Sequence, residues 1–220
     1  MNKNIVLCGV GGQGTVLASK LIAAAAMQKN IPVMSAETIG MAQRGGSVFS
    51  HLRMGEELYS PMIAEHTADI ILGFEPGETV RMLPYLKDHG QVVVSSRAIM
   101  PVTATLAGAR NASVSYDGAE MIAYLKKQVQ NLLVIDTETA CQELGSSKVL
   151  NTLLLGAAIH SGALGLSEED IKDAIRRRLP EKFHELNFRA LEYTRNCSES
   201  SRLAEIEIFP SVPADKDSKS

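Results

Sequence analysis

The stretch of sequence that decides the fold runs from residue 4 to residue 14 and reads Asn-Ile-Val-Leu-Cys-Gly-Val-Gly-Gly-Gln-Gly. Its first half, residues 4–8, is a short apolar run with β-branched side chains, which predicts a buried strand. Its second half, Gly9 to Gly14, satisfies the G-x-G-x-x-G pattern that joins a strand to the start of a helix. The apolar residues that follow supply that helix over residues 15–29. The chain therefore opens with a strand–turn–helix unit.

The same alternation continues along the chain. Further strands are predicted over residues 32–36, 47–54, 70–74, 91–95 and 132–136, of which 47–54 is either a strand or a hairpin arm. Helices are predicted over residues 137–144, 148–161, 168–179 and 181–197, and Asp117-Gly118 is interpreted as a turn that leads into a further helix. Ser167 with Asp170 is spaced like a capping box. We expect a three-layer α/β/α domain with a mostly parallel, mixed Rossmann-like sheet of about five to seven strands and a helical C-terminal part.

The 220 residues are enough for one such domain with a sizeable core. We assign residues 1–197 to it and residues 198–220 to a polar C-terminal tail. Within the first helix, the apolar spacing predicts that Val16, Leu17, Leu21, Ala24 and Ala25 form the face that covers the sheet.

Composition excludes several classes of function. Apolar residues make up 45%, charged residues 21%, and the net charge is −3, so the basic excess that nucleic acid requires is missing. The N-terminal residues carry no leader pattern, and no uninterrupted apolar span is present, so we expect a cytoplasmic protein without a membrane partner. Three cysteines without a C-x-x-C pair, and five histidines without metal-ligand spacing, predict neither a metal site nor an iron–sulfur cluster in this chain.

The glycine-rich turn indicates an anion site. Glycines permit positive φ and close approach of a ligand, while the N–H groups and dipole of a helix N-terminus favour phosphate or carboxylate. Glu37 follows the second predicted strand, about where a dinucleotide fold places its ribose-binding acid, so a free-standing NAD- or FAD-binding module is an alternative. A second alternative is that the glycines only pack the helix against the strand.

A second motif follows the second predicted strand. Residues 38–46 read Thr-Ile-Gly-Met-Ala-Gln-Arg-Gly-Gly. The guanidinium of Arg44, beside Gly45 and Gly46, is suited to hold a carboxylate or phosphate with two parallel hydrogen bonds, and the glycines leave space around it.

Three segments together carry a family resemblance. The glycine turn at 9–14, Glu-Thr at 37–38 with Met-Ala-Gln-Arg-Gly-Gly-Ser-Val at 41–48, and Asn-Thr-Leu-Leu-Leu-Gly-Ala at 151–157 resemble the gamma domain of pyruvate and 2-oxoacid:ferredoxin oxidoreductases. The Met-Ala-Gln-Arg-Gly-Gly form is similar to that of the separate beta subunits of the indolepyruvate branch. The resemblance covers roughly residues 3 to 190.

The resemblance implies a small subunit of an enzyme that oxidatively decarboxylates a 2-oxoacid with coenzyme A, giving acyl-CoA, carbon dioxide and reduced ferredoxin. It implies that thiamine diphosphate, Mg²⁺ and 4Fe–4S clusters belong to a large partner subunit, with which ferredoxin interacts in the complex. The residues implied to bind the cosubstrate or face the partner are Gly9, Gly11, Gly12, Gln13, Gly14, Arg44, Gly45, Gly46 and Asn151.

Gln13 and Arg44 are the candidates for a wall of the shared active site. The alternative for Gln13, Arg44 and Asn151 is that they are interior polar residues that tie loops together. No nucleophile–base arrangement surrounds them, so no acid–base or covalent role is assigned.

Overall fold

The computed structural model describes residues 2–37, 45–99 and 116–203, with the side chains described up to residue 197. Its six strands are β1 Lys3–Val10, β2 Val33–Glu37, β3 Ser47–Met54, β4 Ala68–Gly73, β5 Leu86–Ser95 and β6 Asn131–Ile135. They form one sheet in the order β2-β3-β1-β4-β5-β6. Strand β3 runs antiparallel to both β1 and β2, whereas β1, β4, β5 and β6 pair in parallel. The predicted mostly parallel, mixed sheet is confirmed, and residues 47–54 form a full internal strand.

The helices follow the predicted pattern with one addition. They are α1 Thr15–Gln28, α2 Pro76–Met82, α3 Gly118–Gln128, α4 Thr137–Glu143, α5 Leu150–His160, α6 Glu168–Arg178 and α7 His184–Leu203. The short helix α2 was not predicted from the sequence. The predicted capping box of α6 is confirmed, because the side chains of Ser167 and Asp170 each accept a hydrogen bond from the other residue's backbone N–H. A box of this kind satisfies two otherwise free donors at the helix start.

The two faces of the sheet carry separate hydrophobic cores, which confirms the three-layer arrangement. One face, with Ile5, Leu7 and Leu72, packs against α1, α4, α5, α6 and α7. The other, with Val6 and Ile71, packs against α2, α3 and the loop after β3. The side chains of a strand alternate between its faces, so neighbouring residues of β1 and β4 contribute to different cores.

The predicted buried face of α1 is only partly correct. Leu21, Ala24 and Ala25 are buried, but Val16 and Leu17 are only half-buried, and other residues of the helix, Ala18, Ile22 and Ala26, take their place in the core. Nearly every residue of this helix is apolar or small, so its sequence defines no single face. Which face of α1 is buried is set by the layers that it packs against.

The sheet order creates a crevice between the carboxyl ends of β1 and β4. After β1 the chain passes through α1 on one face towards β2, whereas after β4 it passes through α2 on the other face towards β5. Such a switch point, where two connections leave in opposite directions, is where open α/β sheets bind ligands.

Helix α7 continues to Leu203, six residues past the predicted end of the domain at residue 197, and the rest of the predicted tail lies outside the described residues. Among the helices that the structure describes, none has the length and apolar character needed to span a bilayer.

Candidate functional site

The glycine turn leaves β1 and delivers the chain to the N-terminus of α1 at the switch point. Gly12 and Gly14 have φ of 103° and 88°, a region that side chains with a Cβ atom rarely adopt. Gly9 is required for a different reason, because a Cβ atom there would lie 2.7 Å from the Cβ of Phe74 at the end of β4. The turn therefore brings the ends of β1 and β4 closer together than other residues would permit.

Gln13 holds this turn in place. Its Oε1 accepts a hydrogen bond of 2.6 Å from the backbone N–H of Val10, and its Nε2 donates one of 2.7 Å to the carbonyl oxygen of Phe74. The carboxamide thus ties the end of β1 to the residue that follows β4. This is the loop-tying role given above as the alternative for Gln13, and a contact with a ligand or partner stays a prediction.

The second predicted motif lies directly beside the first. The N–H of Gly11 donates a 2.9 Å hydrogen bond to the carbonyl oxygen of Gly46, and the N–H of Gly45 donates one of 3.4 Å to the carbonyl oxygen of Gly11. These bonds extend the pairing of β1 with β3 into the turn. Arg44 and the rest of its motif, residues 38–43, lie outside the described residues.

Asn151, in the first turn of α5, brings the third motif into contact with the glycine turn. A Cβ atom built on Gly14 would lie 3.3 Å from the Cβ of Asn151, so the two residues are in contact. The Asn151 side chain is buried, and its Nδ2 has no hydrogen-bond partner within the described residues. A buried donor without a partner is unusual, so this atom is a candidate to donate to a ligand.

The N-terminus of α1 is open to an anion. Gly14 caps it without a side-chain hydrogen bond, and its first turn contains no acidic residue. Thr15 and Ser19, one turn apart, bury hydroxyl oxygens that lack partners in the described part of the chain. An open cleft of about 350 Å³, called here the glycine cleft, lies against this helix end. It is lined by Val10, Gly11, Gly12, Gly14, Thr15, Val16 and Val48. The helix dipole and the free N–H groups favour negative charge in this cleft.

Two carboxylates at the start of α2 were missed by the sequence reasoning. Glu75 caps the helix, with its Oε2 accepting a 2.9 Å hydrogen bond from the N–H of Glu78, and both side chains are fully buried. Burial raises the pKa of Glu75. The oxygens of Glu78 accept hydrogen bonds from Ser47 Oγ at 2.6 Å and Arg81 Nη1 at 2.9 Å. The signal in the sequence was Glu-Pro directly after a strand with a second Glu three residues later, a typical helix start.

Glu37 does not lie where a dinucleotide-binding acid would. In the usual order of that fold the second strand is next to the first. Here β3 lies between them, with Glu37 paired to Ser50 and Ser50 paired to Leu7. Two strand spacings, roughly 10 Å, thus separate Glu37 from β1.

Among the residues that the structure describes, the remaining titratable side chains do not assemble a metal site. In the described ranges, no three His, Cys, Asp or Glu side chains are grouped so as to hold an ion. The buried His51 has a structural role: its Nδ1 accepts a 2.9 Å hydrogen bond from the N–H of Ile63, and burial lowers its pKa. A larger cavity of about 590 Å³ lies at the opposite edge of the sheet, near Lys87 and His89, away from all three motifs.

The fold and site define an α/β protein with a glycine turn and an uncapped helix N-terminus at the switch point of its sheet. The chain belongs to the pyruvate ferredoxin/flavodoxin oxidoreductase family, whose model matches residues 4–197. The resemblance seen in the sequence is thereby confirmed.

Similar proteins agree with this assignment. The chain is 37% identical over 190 residues to the indolepyruvate oxidoreductase subunit IorB of Thermococcus kodakarensis, covering 86% of this chain and 92% of that protein. It is 34% identical over 202 residues to IorB of Archaeoglobus fulgidus, covering 92% and 98%. The crystal structure of the keto/oxoacid ferredoxin oxidoreductase gamma subunit of Geobacter sulfurreducens superimposes with a TM-score of 0.63 at 21% identity, covering 90% and 99%, which supports the fold.

Proposed function

We propose that this chain is the small subunit of a 2-oxoacid:ferredoxin oxidoreductase of the indolepyruvate type. The complex oxidatively decarboxylates an aryl pyruvate with coenzyme A to acyl-CoA, carbon dioxide and reduced ferredoxin. The names of the similar proteins, matched over more than nine tenths of their length, support the substrate class. The observation that carries the proposal is that Gly45, Gly46 and Asn151 all contact the glycine turn, which lines the cleft.

The redox chemistry is assigned to a large partner subunit. That subunit would hold thiamine diphosphate with Mg²⁺ and the 4Fe–4S clusters, and it would pass electrons to ferredoxin. Cys8, Cys141 and Cys197 of this chain are free thiols, two of them buried, and clusters of this type usually take four thiolates. Free thiols also suit a reducing compartment, in line with a cytoplasmic complex.

The glycine cleft receives an anionic group of coenzyme A or of the substrate. The N–H groups at the start of α1 would donate to it, with Asn151 Nδ2 and Thr15 Oγ1 as further donors, since both atoms are buried without partners among the described residues. We assign the guanidinium of Arg44 to the same anion. Gln13 acts indirectly, because its carboxamide holds the turn through bonds to the backbone.

Reconstitution tests the proposal. The chain would be co-expressed with a candidate large subunit, and ferredoxin reduction would be measured with and without coenzyme A and an aryl pyruvate. We expect co-purification and activity that requires both compounds. A large subunit that fails to co-purify and works unchanged by itself would contradict the proposal.

The variant Arg44→Ala separates a ligand-binding subunit from a passive scaffold. We expect normal assembly with turnover lowered roughly tenfold or more, because a bidentate charged contact contributes several times the energy of a neutral hydrogen bond. Arg177→Ala, on the exposed side of α6, is the matched control and should leave turnover unchanged. Equal turnover in both variants would favour the scaffold.

The alternative of a free-standing NAD- or FAD-binding module is disfavoured by the position of Glu37, two strands away from β1. It predicts binding of NAD(H) or FAD to the isolated chain, which calorimetry would detect. We expect no binding of either dinucleotide.

A further inference from the structure

The half-buried side chain of Ser47 and the buried side chain of Glu78 connect the start of α2 to the strand that borders the glycine cleft. Ser47 Oγ donates a 2.6 Å hydrogen bond to Oε2 of Glu78, whose carboxylate is fully buried. Ser47 is the first residue of β3 and directly follows Gly46, the residue whose carbonyl oxygen accepts the N–H of Gly11. The hydroxyl thus lies one residue from the contact between the two glycine motifs.

Glu78 is itself held firmly. Arg81 binds its second oxygen at 2.9 Å, and its own N–H is bonded to the capping carboxylate of Glu75. The cap of its helix, Glu75, directly follows Phe74, whose carbonyl oxygen accepts a hydrogen bond from Gln13. The start of α2 is therefore fixed to the turn, and Glu78 offers a rigid acceptor to Ser47.

We propose that Ser47 and Glu78 are positioning residues. Their hydrogen bond sets where Gly45 and Gly46 lie against Gly11, and it thereby fixes the width of the glycine cleft. Glycines impose little conformational preference of their own, so a pair of them needs an external anchor to hold one geometry. A hydrogen bond to a buried carboxylate is stronger than a neutral one and suits this purpose. Val48, the next residue, lines the cleft directly.

This positioning role adds a detail to the proposed function. Of the two measurements that test it, only the kinetic one rests on the proposed function. Three variants of the co-expressed complex test it. Ser47→Ala removes the hydroxyl, and Ser47→Thr restores a hydroxyl in a residue that suits a strand. Ser95→Ala is the matched control, because Ser95 likewise lies at one end of a strand, where its buried hydroxyl bonds to Thr137 at 2.6 Å, two strands away from the turn.

Hydrogen exchange of the Gly11 amide is the first measurement, and it needs no activity. We expect exchange to be roughly fivefold faster in Ser47→Ala, since losing about 1 kcal/mol of local stability changes an opening equilibrium by that factor. Exchange should return to the wild-type rate in Ser47→Thr and stay there in Ser95→Ala. An unchanged rate in Ser47→Ala, or an equal change in Ser95→Ala, overturns the positioning role.

Kinetics are the second measurement. We expect Ser47→Ala to raise the KM for coenzyme A roughly fivefold with a much smaller change in kcat, because a misplaced wall weakens binding without removing a reacting group. Ser47→Thr should recover the KM. A parallel fall of kcat in Ser47→Ala and Ser95→Ala would contradict the role. If the wild-type complex shows no activity with coenzyme A, the proposed function fails, and the exchange experiment still decides whether Ser47 positions the glycines.

Discussion

The N-termini of α1 and α6 are built in opposite ways, although the two helices pack against each other. Helix α6 begins with a capping box of Ser167 and Asp170 and has three acidic residues in its first turn. Helix α1 begins at Gly14 with no side-chain cap and no acidic residue in its first turn. The charge of one helix end is neutralised by its own first turn, whereas the other end is the proposed site of an anionic ligand.

The other helices support this contrast. Side chains of Glu75, Asp117 and Asp136 cap α2, α3 and α4. Helix α5, which follows a 3₁₀ turn, has no side-chain cap and no acid in its first turn, and it is the helix that carries Asn151. Among the described α-helices, the two that start without a side-chain cap and without an acid in the first turn are therefore α1 and α5, which touch through Gly14 and Asn151.

The largest expected effect is on the free energy of unfolding, and it comes from glycines in the turns that precede α1 and α6. Gly9→Ala places a Cβ atom 2.7 Å from Phe74 Cβ, so the ends of β1 and β4 must separate. We expect a loss of about 2–3 kcal/mol in the free energy of unfolding, together with loss of the cleft. Gly162→Ala, in the loop before α6, meets nothing within 4 Å and should cost only about 1 kcal/mol for its positive φ. Urea unfolding of both variants measures the difference, and equal losses would contradict the steric role of Gly9.

A second variant gives α1 the acidic start of α6. Val16→Glu places a carboxylate in the first turn of α1, beside the cleft. We expect the KM for coenzyme A to rise about tenfold, because the new charge occupies the anion site, while stability changes by less than about 1 kcal/mol. Val16→Gln has nearly the same shape without the charge and serves as the control. Equal KM values for the two variants would show that charge at this helix end is unimportant.

The reverse experiment removes the cap of α6. Ser167→Ala should lower the free energy of unfolding by about 1 kcal/mol, because a backbone donor of the helix start loses its acceptor. The KM for coenzyme A should stay unchanged, since the proposed anion site lies at the start of α1. Denaturant unfolding and steady-state kinetics together check the result, and an altered KM would refute the division of roles.

The smallest expected effect is on the pH dependence of stability. Burial opposes ionisation of Asp170, but hydrogen bonds from Ser167 and the ion pair with Lys29 outweigh it and lower the pKa of Asp170. The resulting stability is present above the ordinary pKa of an aspartate, about 4, and is lost as the pH falls through the lower folded-state value. Asp170→Asn should therefore make unfolding less sensitive to acid. Urea titrations between about pH 3 and pH 6 would show this, and parallel curves for variant and wild type would contradict it.

Much of the site was predictable because its signals are local. The glycines of the turn are dictated by backbone geometry and close approach, and the capping box by residues three apart. The family resemblance predicted that Arg44 and Asn151 belong to the same site. The structure adds that Asn151 touches Gly14, whereas Arg44 lies outside the described residues.

The missed residues depend on distant partners. Glu75 and Glu78 appear in the sequence as ordinary surface acids, and only the packing of α2 against the sheet buries them. The sequence showed only that His51 lacks metal-ligand spacing, and its burial against the rings of Phe49 and Tyr85 follows from the neighbours of β3. Burial of a polar side chain depends on long-range contacts, which no local pattern reports.

The sequence by itself determined the strands, most of the helices, the glycine turn and the family, because hydrogen-bonding periodicity and φ preferences act between near neighbours in the chain. Only the tertiary structure decided the order of the strands, which inserts β3 beside β1 and moves Glu37 away from the turn. It also decided that Gln13 binds backbone groups and that Ser47 meets Glu78. These contacts join residues far apart in the chain, and their geometry is set by how the layers pack on the sheet.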